Sequence, residues 1–189
     1  MGMILALLPL TGNRSFTPKP DKLLSEVMSE ESYYSVDQVA RIVSSEEAGY
    51  QIIDLRTADE FKAFNIPGSV NIPYTDFLNT DPAGYMDKNI KTIFYSNGDF
   101  DSNYALVFAR GLKYDNAFVM KGGLNEWFKT VMNSSFTGER ITARENALFE
   151  SRFRARKMFT EINSLPDSLK QKFFESKHLE AKKLDGGCE

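Results

Sequence analysis

The sequence predicts an α/β fold in which a mainly parallel central sheet is flanked by helices. Short apolar runs with the length of buried strands occur at 51–55, 92–95 and 117–120. Segments with helical spacing of apolar residues lie between these runs, as in a sheet built from strand–helix–strand units. The 189 residues are 42% hydrophobic and include 15 Phe, which is enough for one packed domain and too little for two full ones.

The first half of the chain contains helices with clear start signals and two short strands. A helix over 21–28 is expected because its Leu and Val residues share one face. Ser35-x-x-Gln38 is a capping box, and it opens a second helix that runs to about Val43. The elements expected next are a strand at 51–55, a helix at 59–64, a turn at 66–68 and a strand at 70–72.

The second half repeats the alternation of strand and helix. The run Thr-Ile-Phe-Tyr at 92–95 is typical of a buried strand, and a helix is expected over 102–112. A strand follows at 117–120. Gly122 and Gly123 can adopt positive φ just before a helix that runs from 124 to about 131.

Three regions are expected: an N-terminal leader or extension at 1–31, the α/β domain at 32–132 and a helical C-terminal extension at 133–189 with a disordered tail. Met3–Leu10 is an apolar run of the length of a signal-peptide core, but no Lys or Arg precedes it and no A-x-A follows it. The run is far too short to span a bilayer, so no transmembrane segment is expected. The cytoplasm and export to the periplasm remain equally open.

The C-terminal extension reads as two amphipathic helices, the second of which begins at Pro166-Asp167-Ser168. Phe149, Phe153 and Phe159 are expected to pack on the α/β domain rather than on lipid, and Phe173 is expected to cover apolar surface of the same domain. A basic run interspersed with glutamates is expected to be a solvated helix face, although it could bind an anionic partner. The run consists of Arg152, Arg154, Arg156 and Lys157.

Composition excludes several classes of function. The net charge of −3 offers no broad basic field for nucleic acid. Cys188 and His178 are the single cysteine and the single histidine. An intrachain disulfide and a Cys/His zinc site are therefore excluded, and we expect no metal and no cofactor.

Three motifs now combine in a fixed order. The first is Ile53-Asp54-Leu55-Arg56, followed by Glu60-Phe61 and by Ile-Pro-Gly-Ser-Val-Asn-Ile-Pro at 66–73. The second is Phe94-Tyr95-Ser96 at the end of a strand, and the third is Lys121-Gly122-Gly123-Leu124 with Trp127. In order and spacing this pattern resembles the rhodanese (sulfurtransferase) family. Asp54, Arg56, Gly122 and Gly123 then support the active-site loop. Asp54 can serve there as a purely structural clamp or can hydrogen-bond backbone amides of the neighbouring loops.

The resemblance implies that Ser96 stands where the family has its catalytic cysteine. The corresponding loop keeps its length here and comprises Ser96, Asn97, Gly98, Asp99, Phe100, Asp101 and Ser102. We expect its amides to face inward at the start of the next helix. A hydroxyl cannot form the family's persulfide. Asp101 replaces a frequent Arg and Asp99 adds a second carboxylate, and each would repel an anion by about 1 to 4 kcal/mol.

Three interpretations of this loop remain open. The loop can be a retained shape in a domain that binds a protein or a small molecule. It can be a cation site, since Asn97, Asp99, Asp101 and Asn103 alternate oxygen ligands. It can also keep a residual or different activity, with Cys188 on a flexible tail as a supplied thiol. We expect a non-catalytic binding or scaffold module, and the alternative is a sulfurtransferase acting on thiosulfate-like donors. Partner and oligomeric state stay undetermined.

Overall fold

A computed structural model describes residues 19–135, 142–170 and 172–173. Five parallel strands form one sheet in the order β1-β5-β4-β2-β3. The strands are β1 Tyr33–Tyr34, β2 Tyr50–Asp54, β3 Val70–Asn71, β4 Lys91–Tyr95 and β5 Ala117–Met120. The helices are α1 Pro20–Met28, α2 Val36–Ser45, α3 Ala58–Ala63, α4 Tyr74–Asn79, α5 Phe100–Gly111, α6 Gly123–Trp127 and α7 Ala143–Asn163. The expected α/β class is confirmed.

Alternate residues of the central strands supply two cores, one on each face of the sheet. Ile52 and Ile93, which are paired in the register, pack under α2, α6 and α7. Their neighbours Ile53 and Phe94 pack under α1, α4 and α5. Because side chains alternate along a strand, unbroken apolar runs are what a sheet covered on both faces requires.

Several predicted elements have the expected bounds. The Ser35–Gln38 capping box is formed and α2 follows it. The predicted strand at 117–120 is β5. The two-residue strand β1 and the six-residue helix α4 were not predicted. The expected helix start near Ser102 was wrong by two residues, since Asp99 already has helical backbone angles and α5 begins at Phe100.

The C-terminal extension is helical and lies on the sheet face covered by α2. Ala155, Phe159 and Ile162 are the buried residues of α7. The expected packing role of Phe153 was wrong, because its side chain is 49% exposed. In a helix, position 153 points away from the face that carries 155, 159 and 162. Phe149 and Phe173 are half-buried.

The basic run of α7 is only partly a solvated face. Arg152 forms a bidentate pair with Asp37 of α2 at 2.6 and 2.8 Å, and Arg156 donates to the carbonyl oxygens of Met132 and Ser134. Arg154 and Lys157 form exposed pairs within the helix. The expectation of a solvated face therefore holds for two of the four cations, and the other two attach α7 to the domain.

Beyond α7, helical backbone resumes at 167–170, as the Pro166 signal predicted. The Lys170 ammonium is buried there and donates to the carbonyl oxygen of Lys62 at 3.2 Å. Within the described ranges, no helix has the length and apolar character needed to cross a membrane. Met3–Leu10, His178 and Cys188 lie outside the described residues.

Candidate functional site

The candidate site lies at the carboxyl edge of the sheet, where β4 ends and α5 begins. Ser96–Asp99 connect the two elements, and Asp54 and Arg56 close the neighbouring strand β2. Parallel α/β sheets place their sites at this edge, because the loops that follow adjacent strands meet there. The folding of the chain thus brings together the residues that the motifs selected.

Ser96 is buried and its hydroxyl group is engaged inside its own loop. The side chain is 3% exposed, and Oγ donates a hydrogen bond to the carbonyl oxygen of Gly98 at 2.8 Å. The Ser102 hydroxyl donates to the same Oγ over a longer distance of 3.4 Å. The hydroxyl proton therefore points at loop backbone.

The carbonyl and amide groups of the loop backbone differ in their hydrogen bonding. The carbonyl oxygens of Ser96 and Asn97 accept from the amides of Leu124 and Asn125 at the start of α6, at 2.9 and 3.0 Å. The N–H groups of 97–102 have no acceptor within the part of the chain that the structure describes. Asp99 occupies the N-cap position of α5 but makes no capping bond. The amino end of α5 is therefore open to an external hydrogen-bond acceptor.

Gly122 and Gly123 form the surface on which this loop rests. Their φ angles are +79° and +55°, which confirms the positive φ expected from the sequence. A Cβ on Gly123 would come within 2.6 Å of the Ser96 oxygen and 2.8 Å of the Gly98 oxygen. Since both are backbone atoms, only glycine allows the loop and α6 to approach this closely.

Asp99 links the loop to the glycine pair. Its Oδ1 accepts a hydrogen bond from the Gly122 amide at 2.5 Å. One carboxylate oxygen of Asp99 is thus committed to a backbone donor of the glycine pair. Asp101 is half-buried and has no ion-pair partner among the residues of known placement. It is the less constrained of the two charges.

Asn97 links the loop to α3. Its Nδ2 donates to Glu60 Oε1 at 2.8 Å, while the other oxygen of Glu60 completes a capping box with Thr57. Hydrogen bonds from Asn97 and then from Thr57 hold the pKa of Glu60 below its ordinary value. The Thr57-x-x-Glu60 spacing was visible in the sequence, but the contact with Asn97 was not, because it joins residues distant along the chain.

Asp54 and Arg56 form a buried pair beside the loop. Arg56 Nη2 lies 2.6 Å from Asp54 Oδ2, and the Arg56 amide donates to Oδ1 at 2.9 Å. Asp54 therefore accepts one loop amide, that of Arg56, and its pairing with the Arg56 guanidinium fits the role of a structural clamp. Burial acts to lower the pKa of Arg56, but the hydrogen bond and charge of Asp54 outweigh it and raise that pKa. Asn71 secures the turn by donating to the carbonyl oxygens of both residues.

The arrangement does not support the cation site considered above. Three of its four side chains are engaged elsewhere: Asn97 with Glu60, Asp99 with Gly122, and Asn103, whose Oδ1 accepts from the Tyr33 hydroxyl at 3.0 Å. Across the described ranges, no three His, Cys, Asp or Glu side chains come together as metal ligands.

Comparison with known families adds the decisive observation. The family model of the rhodanese-like domain matches residues 35–130, which is just over half of the chain. The protein belongs to the rhodanese-like domain family. The resemblance carried by the three motifs is thereby confirmed, and the Ser96 loop lies inside the matched region.

The similar proteins of known activity include sulfurtransferases. A thiosulfate:glutathione sulfurtransferase of Saccharomyces cerevisiae is 26% identical over 122 residues, which are 59% of this chain and 85% of that protein. A mitochondrial thiosulfate sulfurtransferase of the same yeast is 24% identical over 129 residues, covering 60% of this chain and 77% of that protein. This rhodanese-like protein therefore has sulfurtransferase homologues.

Solved structures of the rhodanese fold are similar in their chain path. The crystal structure of a single domain sulfurtransferase of Saccharomyces cerevisiae gives a TM-score of 0.47 at 21% identity, covering 54% of this chain and 92% of that one. The human single domain sulfurtransferase gives 0.46 at 22% identity, covering 52% and 96%. α7 follows the residues that the family model matches.

Proposed function

We propose that this rhodanese-like protein binds a partner at the Ser96 loop without transferring sulfur. The observation that carries the proposal is the state of Ser96, the residue that the resemblance places at the nucleophile position. Its hydroxyl is buried and donates to the Gly98 carbonyl oxygen at 2.8 Å. A group in this arrangement serves to shape the loop.

The chemistry of sulfur transfer supports the same conclusion. A persulfide intermediate needs a sulfur nucleophile, and a serine hydroxyl needs an adjacent base before it can attack at neutral pH. Asp54 is paired with Arg56, and Asp99 accepts from the Gly122 amide. Neither carboxylate makes a hydrogen bond with the Ser96 hydroxyl, whose partners are Gly98 and Ser102.

Charge around the loop indicates what kind of ligand fits. Glu60, Asp99 and Asp101 place three carboxylates around the open amides of 97–102, while Arg56 is neutralised by Asp54. An anion such as thiosulfate is repelled by these groups, more strongly where water is excluded. Neutral acceptors such as peptide carbonyl oxygens can use the amides without that cost. A protein segment is thus a better ligand for this loop than a small anion.

The second candidate is a thiosulfate-type sulfurtransferase. The open amides at the start of α5 favour it, since such donors stabilise a thiolate or an anionic sulfur group. Sulfur would then have to come from Cys188.

The test is thiocyanate production from thiosulfate and cyanide by the wild-type protein and by Cys188→Ala, with a cysteine-bearing sulfurtransferase as the positive control. We expect both proteins to match the buffer blank. Turnover that disappears in Cys188→Ala would establish the second candidate. Turnover that survives in Cys188→Ala would contradict the proposal outright, because no other thiol exists in the chain.

A further inference from the structure

An exposed aromatic surface borders the Ser96 loop on the side of α5 and α4. Phe100, the first residue of α5, is 73% exposed, and Tyr104 one turn later is 51% exposed. Their rings meet edge to face with centroids 4.9 Å apart. Two large rings that are this open to water, and that pack on each other rather than on the core, are unusual on a free surface and typical of a binding surface.

Tyr74 and Leu78 of α4 extend this surface, which we call the aromatic rim: Tyr74, Leu78, Phe100 and Tyr104. Leu78 is also exposed, and Tyr74 is half-buried. Burial, then the charge of Asp101 and the hydroxyl of Tyr104, raise the pKa of Tyr74. The rings of Phe77 in α4 and Phe108 in α5 lie 5.6 Å apart, so the two helices that carry this surface are neighbours.

The charge at the aromatic rim is negative and uncompensated. Asp101 projects from the first turn of α5, between Phe100 and Tyr104 in sequence, and has no cation within ion-pair distance in the described part of the chain. Lys121, which precedes the glycine pair, is paired with Glu30 at 3.2 Å. Exposed aromatic faces attract cations, and arginine in particular combines stacking on a ring with a bidentate bond to a carboxylate.

We propose that the aromatic rim and Asp101 bind an arginine side chain on a peptide segment of a partner protein. The guanidinium stacks on the Phe100–Tyr104 pair and donates to the Asp101 carboxylate. This inference rests on the proposed binding function, because it places the partner over the Ser96 loop. The site therefore favours neutral or cationic ligands. An anionic sulfur donor requires a site that favours anions.

The probe is a capped pentapeptide in which arginine alternates with glycine, titrated at low salt into the full-length protein and followed by amide NMR shifts. Two matched peptides carry citrulline, the uncharged isostere, or glutamate in place of arginine. We expect saturable shifts at 97–104 and at Tyr74 with the arginine peptide, weakened by added salt. The citrulline and glutamate peptides should produce no saturable shift at these residues.

Variants separate the two contacts. Asp101→Asn should weaken binding about threefold or more, and Phe100→Ala with Tyr104→Ala should weaken it about fivefold or more. The matched controls are Asp115→Asn, an exposed aspartate at the opposite end of the sheet, and Phe153→Ala, an exposed aromatic residue of α7. Neither should change the affinity. All of these side chains are at least partly exposed, so the variants keep the fold.

Three results would overturn the proposal: equal binding of the citrulline peptide, shifts centred on α7, or no saturable shift at all. Each of these would leave the non-catalytic assignment intact, because that assignment depends on the thiocyanate assay. Conversely, sulfur transfer by the wild-type protein would remove the assignment even if the arginine peptide bound at the aromatic rim.

Discussion

Ser96 is the residue on which the proposed function depends. Its hydroxyl donates to Gly98 and its carbonyl oxygen accepts from Leu124, so the residue contributes to the loop through both backbone and side chain. A thiol is larger and a weaker donor, and it would loosen the bond to Gly98. Serine at this position therefore favours a fixed loop over a reactive one.

Restoring sulfur alone is expected to restore little reactivity. In a Cys188→Ala background, Ser96→Cys should form persulfide with thiosulfate slowly, because the open end of α5 stabilises a thiolate by only about 0.3 to 1 kcal/mol and Asp101 opposes it. Adding Asp101→Arg should accelerate the reaction, and by more at low salt than at high salt. Persulfide is measured by mass spectrometry.

Asp99 is left unchanged in this experiment because its carboxylate binds the Gly122 amide. Ser96→Cys with Asp115→Arg is the control, since it makes the same change in net charge at the far end of the sheet. If Ser96→Cys alone reacts as fast as the Asp101→Arg combination at every salt concentration, Asp101 does not obstruct the site.

Glu60 makes one contact of the loop dependent on pH. Its pKa is depressed from 4.5 by the bonds from Asn97 and then Thr57, so the ionised form is favoured in the folded protein. The stabilisation is complete above the ordinary pKa of a glutamate and is lost as pH falls through the depressed value. In NMR spectra recorded along a pH titration, the signal of the Asn97 side-chain amide should therefore shift in acid. Glu60→Gln keeps an acceptor without a charge, and an equal shift in that variant would contradict the assignment to Glu60.

At the scale of elements, the loop and α6 form one unit because two glycines permit the approach. Gly123→Ala should destabilise the protein by about 1 to 2 kcal/mol because alanine is strained in a left-handed backbone conformation. Overlap of the new Cβ with the Ser96 and Gly98 oxygens should cost about 1 to 3 kcal/mol more. Gly49→Ala is the control, since φ is +83° there and nothing lies within 4 Å of its Cβ. Urea unfolding measures both. Equal losses would mean that the close approach at Gly123 adds nothing.

Local signals in the sequence predicted most elements but not their contacts. The capping box at Ser35 and Gln38 fixed the start of α2, because it acts within four residues. The positive φ of Gly122 and Gly123 was predicted for the same reason, because that signal is also local. The Asn97–Glu60 and Asp99–Gly122 bonds join residues far apart in sequence, so no local pattern contains them. Only the second of these bonds involves Asp99, and it commits one oxygen of that carboxylate.

The face that α7 uses was predicted only in part, for a related reason. Phe159 packs on the domain as expected, together with Ala155 and Ile162, whereas Phe153 is half exposed. Small Ala155 lets the helix approach α2, and Arg152 reaches Asp37 beside it. Which of two apolar faces is buried depends on the shape of the surface it meets, and that shape is tertiary.

At the scale of the whole molecule, α7 is connected to the candidate site through packed aromatic rings. The Phe159 ring lies 6.4 Å from that of Phe64, and the Arg56 guanidinium lies 4.9 Å from the centre of Phe64. Asn163 and Asn65 exchange two hydrogen bonds at 3.0 and 2.9 Å, next to the segment that follows α3. The helix outside the matched region thus supports the wall of the Asp54–Arg56 pair.

This support predicts that the domain is less stable without its extension. A chain that ends at Asn133 leaves Trp127 and Phe64 without the Phe159 ring and Asp37 without its arginine, so it should melt at a lower temperature or aggregate.

In the full chain, Phe159→Ala should cost about 3 to 5 kcal/mol as a buried aromatic residue. Phe153→Ala should change stability by no more than about 0.5 kcal/mol, because that ring is half exposed. Thermal and urea unfolding of the three proteins test this order. A truncated chain that melts like the full one would show that α7 is an independent arm, and equal effects of the two substitutions would show that the buried face has been assigned wrongly.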